Sequence, residues 1–398
     1  MNNRIRFSLM VVFFTGTSSL SAQNKTADGY FTSEALLAAN DTGVIVSIKK
    51  YNPTQDEISK AAKPPKNAPL NYLMAPFEAT NITMGNKGFE SKIYALDKKG
   101  DLLWERTIGY NNKSIPSPVK IAGHTIYAGE GQKDRRAVSI QKIDQYGKVV
   151  WEKVLDSLDN VNDLFITKDR VSALVSFDVI KRNIQKNGTF SETVYPAYFF
   201  IQLNNETGEL IKKEYQKMGS YLSGLGFNNP VLNTDYSYLI SKPDSAAFLT
   251  VMNLENATIV SKNPNMEYSI LKLSADTGSY QFLTLKPLKK GKNSYSVIYD
   301  NYARGKKYET EVPIDHSDAD RQFITTTSVD SLAVVIGNPY SISMGFIDTT
   351  GKFSLYKKTS ANGLPVTAVA VVSGKICILQ VEGRNKPGAI GKLKVDYY

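Results

Sequence analysis

One hairpin is written five times along this 398-residue chain, and that repetition limits what it can fold into more than any other feature. Ile93 to Trp104 reads IYALDKKGDLLW, and Ser139 to Trp151 reads SIQKIDQYGKVVW. Phe200 to Lys212 (FIQLNNETGELIK), Ile270 to Phe282 (ILKLSADTGSYQF) and Gly345 to Leu355 (GFIDTTGKFSL) align with them on one glycine. In each copy a run of apolar and β-branched residues ends at Asp, Asn or Ser, whose side chain can bond the backbone two residues on. Glycine then takes the positive φ that a tight turn needs, and a second strand follows.

The aligned glycines, Gly100, Gly147, Gly208, Gly278 and Gly351, lie 47, 61, 70 and 73 residues apart. Further strand pairs fit between them: Val119 to Tyr127 around Gly123, Leu164 to Val175 around Asp169, and Ala368 to Gln380 around Gly374. Each repeat therefore holds about four strands, the content of a propeller blade. Helical periodicity is weak, with a short helix expected only over residues 55–62. The expectation is an all-β chain folded as a single β-propeller of four-stranded blades, six to eight of them, with seven chosen. Gly391 to Tyr398 is a strand with no following partner, and Thr42 to Ile48 is an early strand without a full repeat. A blade shared by the two chain ends would close the ring and remove two open edges.

The L-D-x-x-G-x-x-x-W hairpin resembles the repeat of the PQQ-like (quinoprotein alcohol dehydrogenase-like) β-propeller superfamily over about residues 90–355. Trp104 and Trp151 match its repeat tryptophan, and Lys212, Phe282 and Leu355 depart from it. The resemblance implies a propeller rather than a chemistry, because the superfamily holds quinoprotein dehydrogenases and non-catalytic scaffolds alike. The tryptophan is read as a replaceable packing residue.

Residues 1–22 read as a secretory signal peptide, with Arg4 and Arg6 before the apolar run Phe7 to Phe14 and small residues up to Ala22. That run is far below the ~20 residues of a spanning helix, and no later stretch reaches such a length. Cleavage near Ala22-Gln23 leaves residues 23–398 as one domain, in the periplasm or secreted; the junction resembles Bacteroidota signal peptides. No linker divides the chain. Residues 60–69, rich in Lys and Pro, read as an excursion between strands. Cys377 is the only cysteine, so no disulfide forms within one chain. In its apolar run it reads as a small buried hydrophobe.

Composition narrows the chemistry. The formal charge is +10, from 48 basic and 38 acidic residues, and there are two histidines, His124 and His316. A three-His metal site and a cysteine-based zinc site are excluded within one chain. Asp315, Asp318 and Asp320 beside His316 form a weak Ca²⁺ candidate, though without EF-hand spacing. No Gly-x-Ser-x-Gly elbow occurs. A Tyr/Arg-based site remains open around Tyr110, Arg135, Arg136 and Arg304. No cofactor is expected, since no vicinal cysteine pair exists to stack on a quinone. Lys289, Lys290 and Lys292, with Arg304, Lys306 and Lys307, flank one strand pair and are the candidates for binding polyanions, with the sequence leaving open whether the two groups share one face. For an exported protein the expected partner is an envelope protein or extracellular glycan with an acidic face, not nucleic acid. The expected function is a binding or scaffold module. The alternatives are a polysaccharide lyase or hydrolase with Tyr, Arg and His at the propeller mouth and, third, a PQQ-dependent dehydrogenase.

Overall fold

A computed structural model describes residues 27–51, 89–111, 116–132, 136–184, 190–216, 231–232, 236–241, 247–254, 259–266, 270–276, 278–287, 293–301, 303–314, 321–382 and 391–398. Every helix or strand among them is a β-strand. The helix expected over residues 55–62 lies outside the described residues.

The chain begins with β1 (Asp28–Asn40), β2 (Gly43–Tyr51), β3 (Phe89–Asp97) and β4 (Leu102–Asn111), paired in that order. The next sheet is β5 (Val119–Ala122), β6 (Thr125–Gly131), β7 (Ala137–Ile143) and β8 (Val149–Asp156). It is followed by β9 (Asn160–Ile166), β10 (Arg170–Ile184), β11 (Phe190–Asn204) and β12 (Leu210–Gln216). Then come β13 (Val231–Leu232), β14 (Tyr236–Ser241), β15 (Ala247–Asn253) and β16 (Ile259–Met266). The fifth is β17 (Ile270–Asp276), β18 (Ser279–Pro287), β19 (Asn293–Asn301) and β20 (Lys306–Val312). The sixth is β21 (Arg321–Ser328), β22 (Ser331–Gly337), β23 (Ser341–Ile347) and β24 (Phe353–Ser360). Last are β25 (Val366–Val372), β26 (Lys375–Glu382) and β27 (Gly391–Tyr397), which join the first sheet through β1.

All pairings are antiparallel, and the first strand of each meander touches the first strand of the next, from β1 round to β25 and back to β1. First strands arranged around one axis, with their sheets radiating outward, make a β-propeller. The ring closes through β1. Asp28 and Gly29 pair with Lys392 and Gly391 of β27, whereas Ala35 to Asn40 pair with β2. The pairing with β2 already begins at Tyr30 and Phe31, opposite Tyr51 and Lys50, and a register shift between Phe31 and Ala35 interrupts it.

Core packing lies between sheet faces, so the inner strands are apolar on both sides instead of alternating. β22 is buried from Leu332 to Gly337, and the cluster at the closure joins Phe31, Val46 and Tyr94 to Leu379, Val381 and Leu393. Cys377 belongs to that cluster as a fully buried thiol, and burial pushes its pKa up to about 12.

Four of the five aligned glycines sit in the turn between third and fourth strands: Gly100, Gly147, Gly208 and Gly351, with φ of 86°, 83°, 72° and 84°. The preceding Asp or Asn works as the pattern demands. Asp144 Oδ1 accepts the Tyr146 and Lys148 N–H groups, each at 2.9 Å, and Gly147 N–H donates to the Asp144 carbonyl at 3.1 Å. The fourth copy is different. Gly278 turns between β17 and β18, a first and a second strand, so Phe282 is a buried second-strand residue and no counterpart of the tryptophans. The true third-to-fourth turns in this region are 254–258, which has no glycine, and 302–305, which ends on Gly305.

The tryptophans show what the repeat is for. Trp104, on β4, lies against Gly147 of the next sheet and donates its Nε1–H to the Gln145 carbonyl at 2.9 Å. Trp151, on β8, does the same to Gly208 and the Asn205 carbonyl, again at 2.9 Å. Tyr308 covers Gly351 in this way, and Lys212 reaches the Leu254 carbonyl at 3.4 Å. Leu355 is 58% exposed, and in the closing sheet the third and fourth strands, β27 and β1, are joined by no such turn. Gly100, with no preceding fourth-strand aromatic, has open space around it.

Two alanine substitutions separate backbone from packing. Gly374→Ala would place a Cβ in open space at φ 75° and is expected to cost about 1 kcal/mol of left-handed strain. Gly208→Ala adds a Cβ 2.8 Å from Trp151 Cδ2, and overpacking raises the expected loss to about 3 kcal/mol. Denaturant unfolding midpoints of the two variants test the difference; equal midpoints would show that the indole gives way freely.

Candidate functional site

A meander gives a propeller two unlike ends. Turns from first to second and from third to fourth strands fall on one end, and each spans two to five residues. The other end carries second-to-third connections and crossings to the next sheet, including 52–88 and 217–230. Tight turns at one end hold the strands rigidly and leave the variable segments at the other, where binding residues concentrate in such scaffolds.

Charge divides the same way. Formal charges of the connecting segments sum to −4 at the tight-turn end and +6 at the opposite end. Second-to-third connections alone sum to +9. The charge of the connecting segments is therefore directional, which no total charge reveals.

Beneath the long-segment end, between the first two sheets, lies a buried charged cluster. Lys49 (β2) is 0% exposed and Glu130 (β6) 4%. Lys49 Nζ donates to Glu130 Oε2 and to the Ser91 hydroxyl, and the hydroxyls of Ser91 and Ser117 donate to the same carboxylate oxygen. The Gly131 N–H occupies Oε1 at 2.6 Å. Gly109 on β4 makes room, since a Cβ there would lie 2.6 Å from Glu130 Cγ. Burial lowers the Lys49 pKa more than its attraction to Glu130 raises it. These four polar residues stand at the roots of segments 52–88 and 112–115 and just before 133–135. Nearer the axis, Asp163 ties three first strands together. It pairs with Lys120 of β5 at 3.2 Å and accepts the Leu232 N–H of β13 at 2.8 Å.

The candidates from sequence scatter over this frame. His124 is exposed in the β5–β6 turn, at the tight-turn end. Arg136 is held at the other end in a bidentate pair with Asp159, both contacts 2.9 Å, and also donates to the Asp178 carbonyl. Tyr110 donates to Glu90 at 3.3 Å, and that carboxylate raises its pKa. Arg135, His316, Asp315, Asp318 and Asp320 lie outside the described residues, as do Lys289, Lys290 and Lys292. The register separates the two strand ends that the basic groups flank. Pro287 pairs with Asn293 at one end of β19, and Asn301 pairs with Lys306 at the other, about 25 Å away. Arg304 lies 3.9 Å from Asp330 and Lys307 lies 3.7 Å from Asp300, so both face acids. Among the described residues no group of three or more His, Cys, Asp or Glu is placed to hold a metal ion.

Among the described residues, neither the cysteine nor a tryptophan is placed to stack on a bound quinone. The one cysteine is sealed in β26, and both tryptophans are committed to Gly147 and Gly208 of the neighbouring sheets.

No family model and no curated protein matches the chain. Among solved structures, one chain of a mitotic checkpoint complex is similar at 10% identity and a TM-score of 0.46, with 100% of each chain covered. Hydrazine synthase of Kuenenia stuttgartiensis is similar at 8% identity and 0.47, over 77% of this chain and 89% of that one. Acylaminoacyl peptidase of Pyrococcus horikoshii is similar at 11% identity and 0.48, over 92% of this chain and 52% of its own. No function follows from likeness at this level.

Proposed function

We propose that this chain is an exported, seven-bladed β-propeller of the PQQ-like repeat type, acting as a binding or scaffold module in the periplasm or outside the cell. Its ligand is an acidic glycan or the acidic face of an envelope protein, met by the end that carries the long segments. The observation supporting this is the charge division, +6 against −4 between the two ends. A polyanion approaching from solution is steered to the positive end, and its capture releases counterions. The tryptophan-on-glycine docking at Gly147 and Gly208 supports the repeat type.

The test is binding of the chain from Gln23 onward to an array of acidic and neutral glycans and to envelope-protein extracts, at two salt concentrations. Binding to acidic ligands is expected to weaken at least tenfold from low to moderate salt, with no new reducing ends or unsaturated products. Lys289, Lys290 and Lys292 changed together to Ala are expected to weaken it at least tenfold. The same change at Arg304, Lys306 and Lys307 should move it less than twofold. Equal losses from the two triples would refute a one-ended site, and product formation would replace binding with catalysis.

A further inference from the structure

The repeat gives each gap between neighbouring sheets the same set of positions, so a gap that departs from the set stands out. Two residues past the tryptophan position, the fourth strand turns a side chain toward the next sheet. Arg106 holds this place between the first and second sheets and donates to the Gln141 side chain and the Gly147 carbonyl, each at 3.3 Å. Thr310 holds it between the fifth and sixth and donates to the Gly351 carbonyl at 2.5 Å. Between the second and third sheets the place is taken by Lys153, on the same face of β8 as Trp151 and Leu155, with no carboxylate partner among the described residues.

The facing wall departs as well. In the second sheet, Ser139, Gln141 and Glu152 look back toward Arg106 and are bonded to one another. The matching positions of the third sheet are Phe199, Ile201 and Lys213, with Tyr215 two residues on. Phe199 lies between Phe177 and Tyr215, with ring centroids 5.5 Å away on either side, and Lys213 Nζ lies 4.9 Å from its centroid. Tyr215 is 49% exposed and Lys213 is exposed. Core packing of Ile140 and Leu155 with Ile201 fills the inner part of the gap, and Trp151 on Gly208 closes its tight-turn end. The outer part carries a lysine on each wall and an aromatic row along one. On the facing surfaces of β7–β8 and β11–β12 there is no carboxylate among the described residues.

We propose that this rim groove between the second and third sheets is a binding subsite for an acidic oligosaccharide. The apolar face of a sugar ring lies flat on Tyr215, and its carboxylate or sulfate pairs with Lys213 and Lys153. A cleft with one sign of charge on both walls concentrates anions, and the negative face of an aromatic ring attracts the C–H groups of a sugar. A gap between two sheets suits a narrow extended chain better than a broad protein face. The acidity of the ligand rests on the polyanion reading above; the place and the ligand class rest on the groove.

Calorimetric titration with hexasaccharides of galacturonate, mannuronate and sulfated galactose tests this, with a neutral galactose hexasaccharide for comparison. At least one acidic probe is expected to bind, at least tenfold tighter than the neutral one. Tyr215→Ala should weaken that binding about tenfold, and Tyr215→Phe should keep it within twofold. Lys153→Met with Lys213→Met should erase the preference for the acidic probe. Tyr356→Ala, at another exposed rim tyrosine with a phenylalanine 5.4 Å away, should leave binding within twofold. In the unsubstituted chain the bound probe should slow acetylation of Lys213 at least fivefold and leave exposed Lys99 at its free rate. If a probe binds, either an unweakened Tyr215→Ala or a Lys213 acetylated at its free rate would overturn the groove and leave the polyanion reading standing. Failure of every acidic hexasaccharide to bind would overturn the groove too. Long acidic polymers then decide the wider reading: capture keeps it, and no capture of polymer or envelope protein sinks both. Envelope-protein capture lost in Tyr215→Ala, with no hexasaccharide bound, would give the groove to a protein instead.

Discussion

A chain lacking residues 23–40 is expected to lose its cooperative unfolding transition and to self-associate. β1 is the innermost strand of the first sheet and also the outer partner of β27, so its removal opens two edges at once. Exposed edges of this kind pair with other chains. The deletion also strips Ala27, Phe31 and Ala35 from the cluster they share with Val46, Leu379 and Leu393. Loss of one buried aromatic alone costs about 3–5 kcal/mol, against a total stability of about 5–15 kcal/mol for a typical protein. A peptide spanning 23–41 added in trans should restore the transition in a concentration-dependent way. Tryptophan fluorescence during denaturant titration reads both results, because Trp104 and Trp151 report on the sheets next to the break. An unchanged midpoint in the deleted chain would show that the ring holds without β1.

That closure was readable only in part: Gly391 to Tyr398 supplies β27 of the closing sheet, but Thr42 to Ile48 falls in β2, which pairs on both sides with β1 and β3, and the strand shared by the two sheets is β1. The turns were readable more directly. Asp or Asn followed by Gly at a fixed offset is local chemistry, and Asp97, Asp144, Asn204 and Asp348 all behave as that chemistry requires. The same locality misled at Gly278, where Asp276-Thr277-Gly278 is an equally good turn but joins a different pair of strands. Turn residues specify a bend and carry no label for which bend it is. Whether the two basic groups share a face was not legible, because two clusters flanking one strand are close in sequence while the nine extended residues of β19 separate the ends they flank. Least legible was the Lys49–Glu130 cluster. Its members are 81 residues apart, and each stands in an ordinary strand. The one available signal was a lysine closing the apolar run of Gly43–Tyr51, and surface strands supply that so often that it points nowhere alone.

Glu130→Ala is expected to cost about 3–5 kcal/mol, because it leaves a lysine charge buried without its partner. The serines cannot compensate, since Ser91 and Ser117 both donate to the carboxylate that would be gone. Changing Lys49 and Glu130 together to Met should recover most of the loss, as apolar replacement of a buried pair is often neutral. The pH dependence separates lost charge pairing from lost packing. In Glu130→Gln the attraction that raises the Lys49 pKa disappears, so burial lowers it further beneath the ordinary 10.5. Between the folded value and 10.5 the unfolded chain then binds more protons than the folded one, so stability rises with pH. Buried tyrosines act in the opposite sense, because their raised pKa values make the folded chain hold protons that the unfolded chain releases above about pH 10. The comparison is therefore the difference between variant and parent in urea unfolding at pH 7 and pH 9.5, where the tyrosine contribution cancels. The deficit of Glu130→Gln should shrink at pH 9.5 as Lys49 sheds its proton. A deficit that stays constant would mean that Lys49 does not change its protonation between the two pH values, and would overturn the lost charge pairing as the source of the pH dependence.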